Sequence, residues 1–258
     1  MAVELLGAGN DRLDFGDIAS VDSLTEISVA FSIKPASGGL VGNRLISKWG
    51  STSAKEQIIS QLVNTDEIGF FVTKGGTGTA NGVGRQTNAT NPLVAGTLIR
   101  VVFRWKASPK SIDIWVNGVN QSVITWIANA TPVDLGTGST NLQVGHETDE
   151  TSDGVDGDYS EIAIWDHKIP DNVAIAYGKG FSPLIYPKGG LVYCRALNSS
   201  HLVDEWGGNT VTPTGAADAP HPAVYYPRRP SIITAPAAAP GGSSIPVISS
   251  DYRMRRSA

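Results

Sequence analysis

Apolar and polar residues alternate one by one through several stretches of this chain. In EISVAFSIKP, Ile27, Val29, Phe31 and Ile33 alternate with Ser28, Ala30, Ser32 and Lys34, and Pro35 ends the run. Residues 159–166 alternate again, with Ile162 and Ile164 on one side and Ala163 and Trp165 on the other. A period of two describes a strand with two distinguishable faces, because successive side chains of an extended backbone point in opposite directions. Further strands are expected over residues 10–15, 44–50, 57–63, 68–73, 141–145 and 189–198. The near-continuous apolar run over 97–105 reads as a central strand. After it, Ile112, Ile114 and Val116 alternate with Asp113, Trp115 and Asn117, and Asn117-Gly118 is a preferred pair for a two-residue hairpin turn. Residues 74–91, almost all Gly, Thr and Asn, have few side chains with which to bury a face and predict a long exposed loop. After Pro170, DNVAIAYGKG has a turn or two of helical pattern that Gly178 and Gly180 stop.

These elements make an all-β chain, and from Thr212 the pattern ends. APHPAVYYPRRPSIITAPAAAPGGSSIPV is rich in Pro, Ala, Gly and Ser and has no period. It predicts an extended or polyproline-like arm over 213–258, following one domain over 1–212. Such a segment buries too little apolar surface to offset its own ordering entropy, so its ordering requires a partner. Arg228, Arg229, Arg253, Arg255 and Arg256 stand against only Asp218 and Asp251 in the arm, so the body holds the acidic excess that brings the chain to −4. A basic arm with Tyr225 and Tyr226 set among prolines suits an acidic or polar protein surface more than nucleic acid or a membrane.

A hydrophobic fraction of 41% over 258 residues supports a sizeable core. No stretch approaches the roughly 20 apolar residues that span a bilayer. MAVELLGAGNDRLDF lacks the basic start and the longer apolar run of a signal peptide. A single cysteine, Cys194, excludes an internal disulfide framework.

Several phrases, in the right order, resemble the laminin G-like, concanavalin A-like jelly rolls. NDRLDFGDIASVDSLTEISVAFSIKP is similar to their opening strands, RVVFRWKASPKSIDIWVNGV to their matching hairpin, and NLQVGHETDETSDGVDGDYSEIAIWDHKIP to their penultimate strands. DEWGGNTVTPTGA resembles their closing loop. The resemblance implies a two-sheet antiparallel jelly-roll sandwich, here with an extended C-terminal arm. Chains of this layout, with closing phrases like HPAVYYPRRP, also look like structural proteins of tailed-phage virions. That likeness implies a non-enzymatic capsid-decoration, tail or fibre protein made in the host cytoplasm. Its arm residues Tyr225, Tyr226, Arg228, Arg229, Arg253, Arg255 and Arg256 would fasten it to other virion proteins or to copies of itself, with the jelly roll turned toward host-surface glycans. A stand-alone carbohydrate-binding lectin is the alternative, and a glycosidase the third reading.

A retaining glycosidase needs carboxyl groups about 5 Å apart, which alternate strand positions supply. The closest run, Glu147-Thr-Asp149-Glu150, lacks apolar spacers and is followed by Gly154 and Gly157, so it reads as a loop. His146, His167, His201 and His221 accompany no nucleophile elbow. Enzymatic activity is therefore not expected. Asp149, Asp153, Asp156 and Asp158 are hard oxygen ligands on a Gly-containing loop, which suits calcium rather than zinc. The family resemblance implies one calcium at a loop rim; a solvated acidic loop is the other reading. Trp115 alternates away from the Ile112, Ile114 and Val116 face, so it is a candidate for stacking on a sugar ring. Otherwise it covers its sheet together with Trp105 and Trp165, while Trp126 and Trp206 fall in loop-like contexts.

Overall fold

Two eight-stranded antiparallel sheets lie face to face. Sheet A runs from β10 (Val119–Asn120) through β9 (Ser111–Val116), β8 (Ile99–Lys106), β3 (Glu26–Pro35), β13 (Gly157–Trp165) and β1 (Ala2–Leu5) to β16 (Ala217–Ala219); β14 (Gly190–Cys194) also pairs with β13. Sheet B runs from β11 (Val123–Ala128) through β7 (Gly82–Thr87), β6 (Glu67–Thr73), β5 (Ile58–Asn64), β4 (Arg44–Lys48), β12 (Leu142–Val144) and β2 (Arg12–Asp14) to β15 (Thr212–Thr214). One helix, α1 (Asp171–Gly178), crosses the outer side of sheet A. The computed structural model describes residues 2–6, 11–36, 43–50, 57–64, 67–74, 82–88, 94–128, 132–146, 154–196, 199–200 and 202–226. Among the described residues no helix is long and apolar enough to cross a membrane.

The alternation seen in the sequence places the core. Val29, Phe31 and Ile33 of β3, Val101, Phe103 and Trp105 of β8, and Ile162 and Ile164 of β13 point inward from sheet A. They meet Leu62, Ile68, Phe70, Val72, Leu142 and Val144 from sheet B. Phe70 and Phe103 stack across the interface, 4.8 Å apart and nearly parallel. Asn117 and Gly118 both adopt positive φ (51° and 78°), the left-handed pair that a two-residue hairpin between β9 and β10 requires. The outward set of sheet A (Ala30, Val102, Trp115, Ala163, Trp165) is buried a second time, under Val173, Ala174 and Tyr177 of α1. Arg104 is sealed in this layer. It donates to the Ile169 carbonyl and to Asp171 and Asp113, and lies over the Trp115 ring.

The structure departs from the sequence expectations in three places. Residues 82–87, expected within a long loop, form β7. Its glycines face the rings of Phe71 and Trp126 instead of carrying side chains of their own. Trp126, expected in a loop, belongs to the edge strand β11. Third, the sandwich does not stop at 212. β15 pairs with β2, β16 pairs with β1, and Tyr225 bridges to Phe181, so residues 213–226, expected in the arm, are part of the body. The remainder, 227–258, lies outside the described residues.

Candidate functional site

The outer side of sheet B carries a cross-strand row with a gap in it. Directly opposed residues of an antiparallel ladder share a face. Arg44, Gln61, Gly69, Gln86 and Ile124 thus form one row across β4, β5, β6, β7 and β11. The next row holds Ile59, Phe71 and Gly84. Between Thr125 and Ile127 the register of β11 shifts, and this bulge swings the Trp126 indole inward over the sheet. The ring settles on glycine. A Cβ on Gly69 would come within 2.8 Å of the indole and one on Gly84 within 3.1 Å. Glycine at these positions is what lets a large ring lie close to the backbone.

Trp126 is supported from one side and open on another. Phe71 meets it edge-on at 6.2 Å, and Trp49 in turn meets Phe71 edge-on at 5.4 Å. Phe71 and Trp49 are buried, so they brace the indole and leave it as the aromatic that reaches solvent on this face. Around it stand hydrogen-bonding groups. Gln61 and Gln86 flank Gly69 on either side, the Gln86 amide donates to Glu67, and Arg44 donates to Gln61. Ile124, 40% exposed, closes the open edge. A partly exposed indole inside a fringe of amides, a guanidinium and a carboxylate can hold a flat ligand with one apolar face and several hydroxyl groups.

The residues singled out from sequence fall elsewhere. Trp115 is only 5% exposed and lies beneath α1 and Arg104, so it presents no ring to a ligand. Period-two alternation placed it correctly on the side away from the core, but could not show that a helix covers that side. Trp105 points into the core between the sheets, and Trp165 joins Trp115 under the helix. Of the four candidate calcium ligands, Asp149 and Asp153 lie outside the described residues. Asp158 sits in β13 and pairs with Lys34 at 3.7 Å, and Asp156 precedes that strand. Among the described residues no group of three or more His, Cys, Asp or Glu is arranged to hold a metal. A cation does occupy one rim of the sandwich, and it belongs to the chain: the buried Lys48 ammonium donates to Asp17 at 2.7 Å and to the carbonyls of Gly138 and Thr140.

Of the arm residues, Arg228, Arg229, Arg253, Arg255 and Arg256 lie outside the described residues. Tyr225 and Tyr226 are docked on the chain's own sandwich, still 45% and 38% exposed. Cys194 is buried in β14, and burial pushes its thiol up to about 12, too high for a thiolate at neutral pH. Sequence reasoning placed Trp126 in a loop-like context and gave it no definite role. The available signal was the pairing of a lone Trp in VITWI with glycines at alternate positions in GVGRQT, which reads as loop until the two strands are laid side by side.

Comparison with known proteins bears on the whole sandwich. The laminin G family model described as the concanavalin A-like lectin/glucanases superfamily matches residues 7–172. Among solved structures, the native heptameric SAP-like pentraxin from Limulus polyphemus is similar with a TM-score of 0.57 at 14% identity, over 83% of this chain and 92% of that one. A candidate carbohydrate binding protein from Bacteroides ovatus gives 0.58 at 13%, over 87% of this chain and 62% of that one. The CBM40 of Ruminococcus gnavus IT-sialidase, bound to alpha2,3 sialyllactose, gives 0.52 at 13%, over 69% and 97%. At such identities the likeness is one of fold. No curated protein matches the chain in sequence.

Proposed function

The chain belongs to the concanavalin A-like lectin/glucanases superfamily, and from that premise we propose that it is a non-catalytic carbohydrate-binding jelly roll whose ligand lies across Trp126. The observation that carries this reading is the indole seated on Gly69 between Gln61 and Gln86. The apolar face of a pyranose stacks on the ring, and its hydroxyls take the two amides, Glu67 and Arg44. The sialyllactose-bound domain and the Bacteroides protein, similar in fold, support the ligand class. Binding without turnover fits the acid chemistry of the platform. Hydrolysis of a glycosidic bond takes a pair of carboxyl groups; among the described residues of the platform the carboxylate is Glu67, and it accepts from Gln86.

The wider setting we propose is display on a particle: a tailed-phage virion protein, held to its neighbours or to copies of itself through 227–258. The composition of that segment supports this, since it cannot bury enough apolar surface to order itself. Two experiments test the two parts. On a glycan array, the full-length protein is expected to bind a defined set of sugars, and Trp126→Ala to lose them. Equal binding by the variant, or no binding by either, ends the carbohydrate reading. Quantitative mass spectrometry of purified particles is expected to find the chain in stoichiometric copies; its absence ends the virion reading and leaves the lectin.

A further inference from the structure

The middle of β13 contains a charged residue in a conformation that side chains rarely adopt. Glu161 has φ +53° at the point where the register between β13 and β3 slips, and it is 1% exposed. Burying a carboxylate is costly unless donors surround it, and a positive φ adds strain. The bulge turns the side chain toward the helix-covered side of sheet A, where donors converge. Tyr193 donates to Oε2 at 2.9 Å and Tyr226 to Oε1 at 2.7 Å, while His221 Nε2 stands 3.4 Å from Oε1. Tyr177 donates to the Glu161 carbonyl. Burial first, and the Glu161 charge second, raise the Tyr193 and Tyr226 hydroxyls far above the usual phenol range, which keeps both as donors.

Two of these contacts, from His221 and Tyr226, come from the segment that follows the last strand. The same segment is tied down along its length. Tyr225 exchanges backbone bonds with Gly180 and Ser182, its ring packs on Phe181 at 5.3 Å, Arg100 donates to the Ala223 carbonyl, and Arg195 lies over the Tyr226 ring. Nothing in β13 itself needs a carboxylate at this position; its Oε2 is taken by Tyr193 of β14 and its Oε1 by the segment crossing above.

We infer that Glu161 is the lock of a C-terminal clip, residues 221–226, and that the lock fixes where the rest of the chain leaves the sandwich. Tyr226, the last described residue, sits on the outer side of sheet A, bonded to Glu161. Trp126 lies on the outer side of sheet B, with the whole core between. The point to which the lock holds the chain and the indole platform are therefore on opposite faces, so a copy tethered beyond Tyr226 starts from the face away from its platform. The lock rests on the contacts alone; its consequence for display rests on the carbohydrate reading of Trp126.

The test uses the full-length chain, whose native Cys194 is buried, so that introduced cysteines take spin labels selectively. Labels are placed at Ser231→Cys with either Lys179→Cys, at the exposed end of α1, or Thr125→Cys, on β11. In the wild-type background the 231–179 distance is expected to be the shorter and narrower of the two. In Glu161→Gln and in Tyr226→Phe that ordering is expected to weaken. Amide exchange over 221–226 should rise at least about tenfold in these variants, with β6 unchanged. Tyr226→Phe removes one hydroxyl from a partly exposed ring and keeps the test valid should Glu161→Gln fail to fold. Equal distances in the wild type, or exchange that stays unchanged or rises evenly across both sheets, overturns the lock. Sugar binding, measured on unlabelled wild type, Glu161→Gln and Tyr226→Phe without the introduced cysteines, should be the same in all three, so failure of the carbohydrate reading shows separately.

Discussion

Over sheet A, Trp115 and Trp165 disappear beneath α1, Arg104 is enclosed with its carboxylate partners, and the clip is drawn down onto Glu161. At the β11 end of sheet B, a comparable aromatic set keeps Trp126 partly in solvent, braced by Phe71 and fringed with amides. Both faces are aromatic, and both belong to sheets whose inner sides fill one core. What separates them is cover: one outer face is used for holding the molecule together, the other is left with hydrogen-bonding capacity and an open ring.

If that division is right, substitutions on the two faces should have different signatures. The largest effect is expected under the helix. Arg104→Met removes the buried guanidinium that bonds Asp113 and the Ile169 carbonyl and should cost about 3 kcal/mol, toward the low end for a broken buried pair because Asp113 keeps Lys168 at 2.6 Å and some solvent. Chemical denaturation measures it, and sugar affinity in the folded fraction should not change. Next comes Gly69→Val, whose Cβ would stand 2.4 Å from the Val63 side chain as well as against the indole. Overpacking of this kind costs about 1–3 kcal/mol, and here it should also abolish sugar binding by lifting the ring. Trp126→Ala should cost only about 1–2 kcal/mol, since the indole is only partly buried, while removing the affinity. The smallest effect is expected at Cys194. With the thiol pushed up to about 12 by burial, it should stay unreactive toward a thiol reagent at pH 8 until the protein unfolds. Rapid labelling of the native protein would show β14 opening far more easily than its place beside β13 allows.

How much of this could be read in advance depended on whether a feature is local. Val29 to Ile33, Ile162 to Ile164 and the Asn117-Gly118 turn announce themselves because pleating and turn geometry act on neighbouring residues. The strand β7 did not, since GVGRQT has weak strand preference; its pairing follows from Phe71 and Trp126 occupying the space above its glycines, and those residues are distant in sequence. Trp115 was assigned to the correct side of its sheet, yet whether that side meets solvent depends on α1, more than fifty positions later. Glu161 lies within the alternating stretch 159–166, but neither the bulge at that position nor the Tyr226 hydroxyl that bonds its carboxylate has a local signature. Tyr225 and Tyr226 stood out correctly as contact-forming residues, but the surface they meet is their own sandwich.

Which outer face meets a ligand can be decided directly by one calorimetric series. The best sugar from the array is titrated into the wild type, Trp126→Ala and Trp115→Phe, with melting temperatures taken on the same samples. The expected result is that heat of binding vanishes with Trp126 and survives the loss of Trp115, whose substitution lowers the melting temperature alone. Binding that persists without Trp126 and fails without Trp115 would contradict it and return the ligand to the covered face.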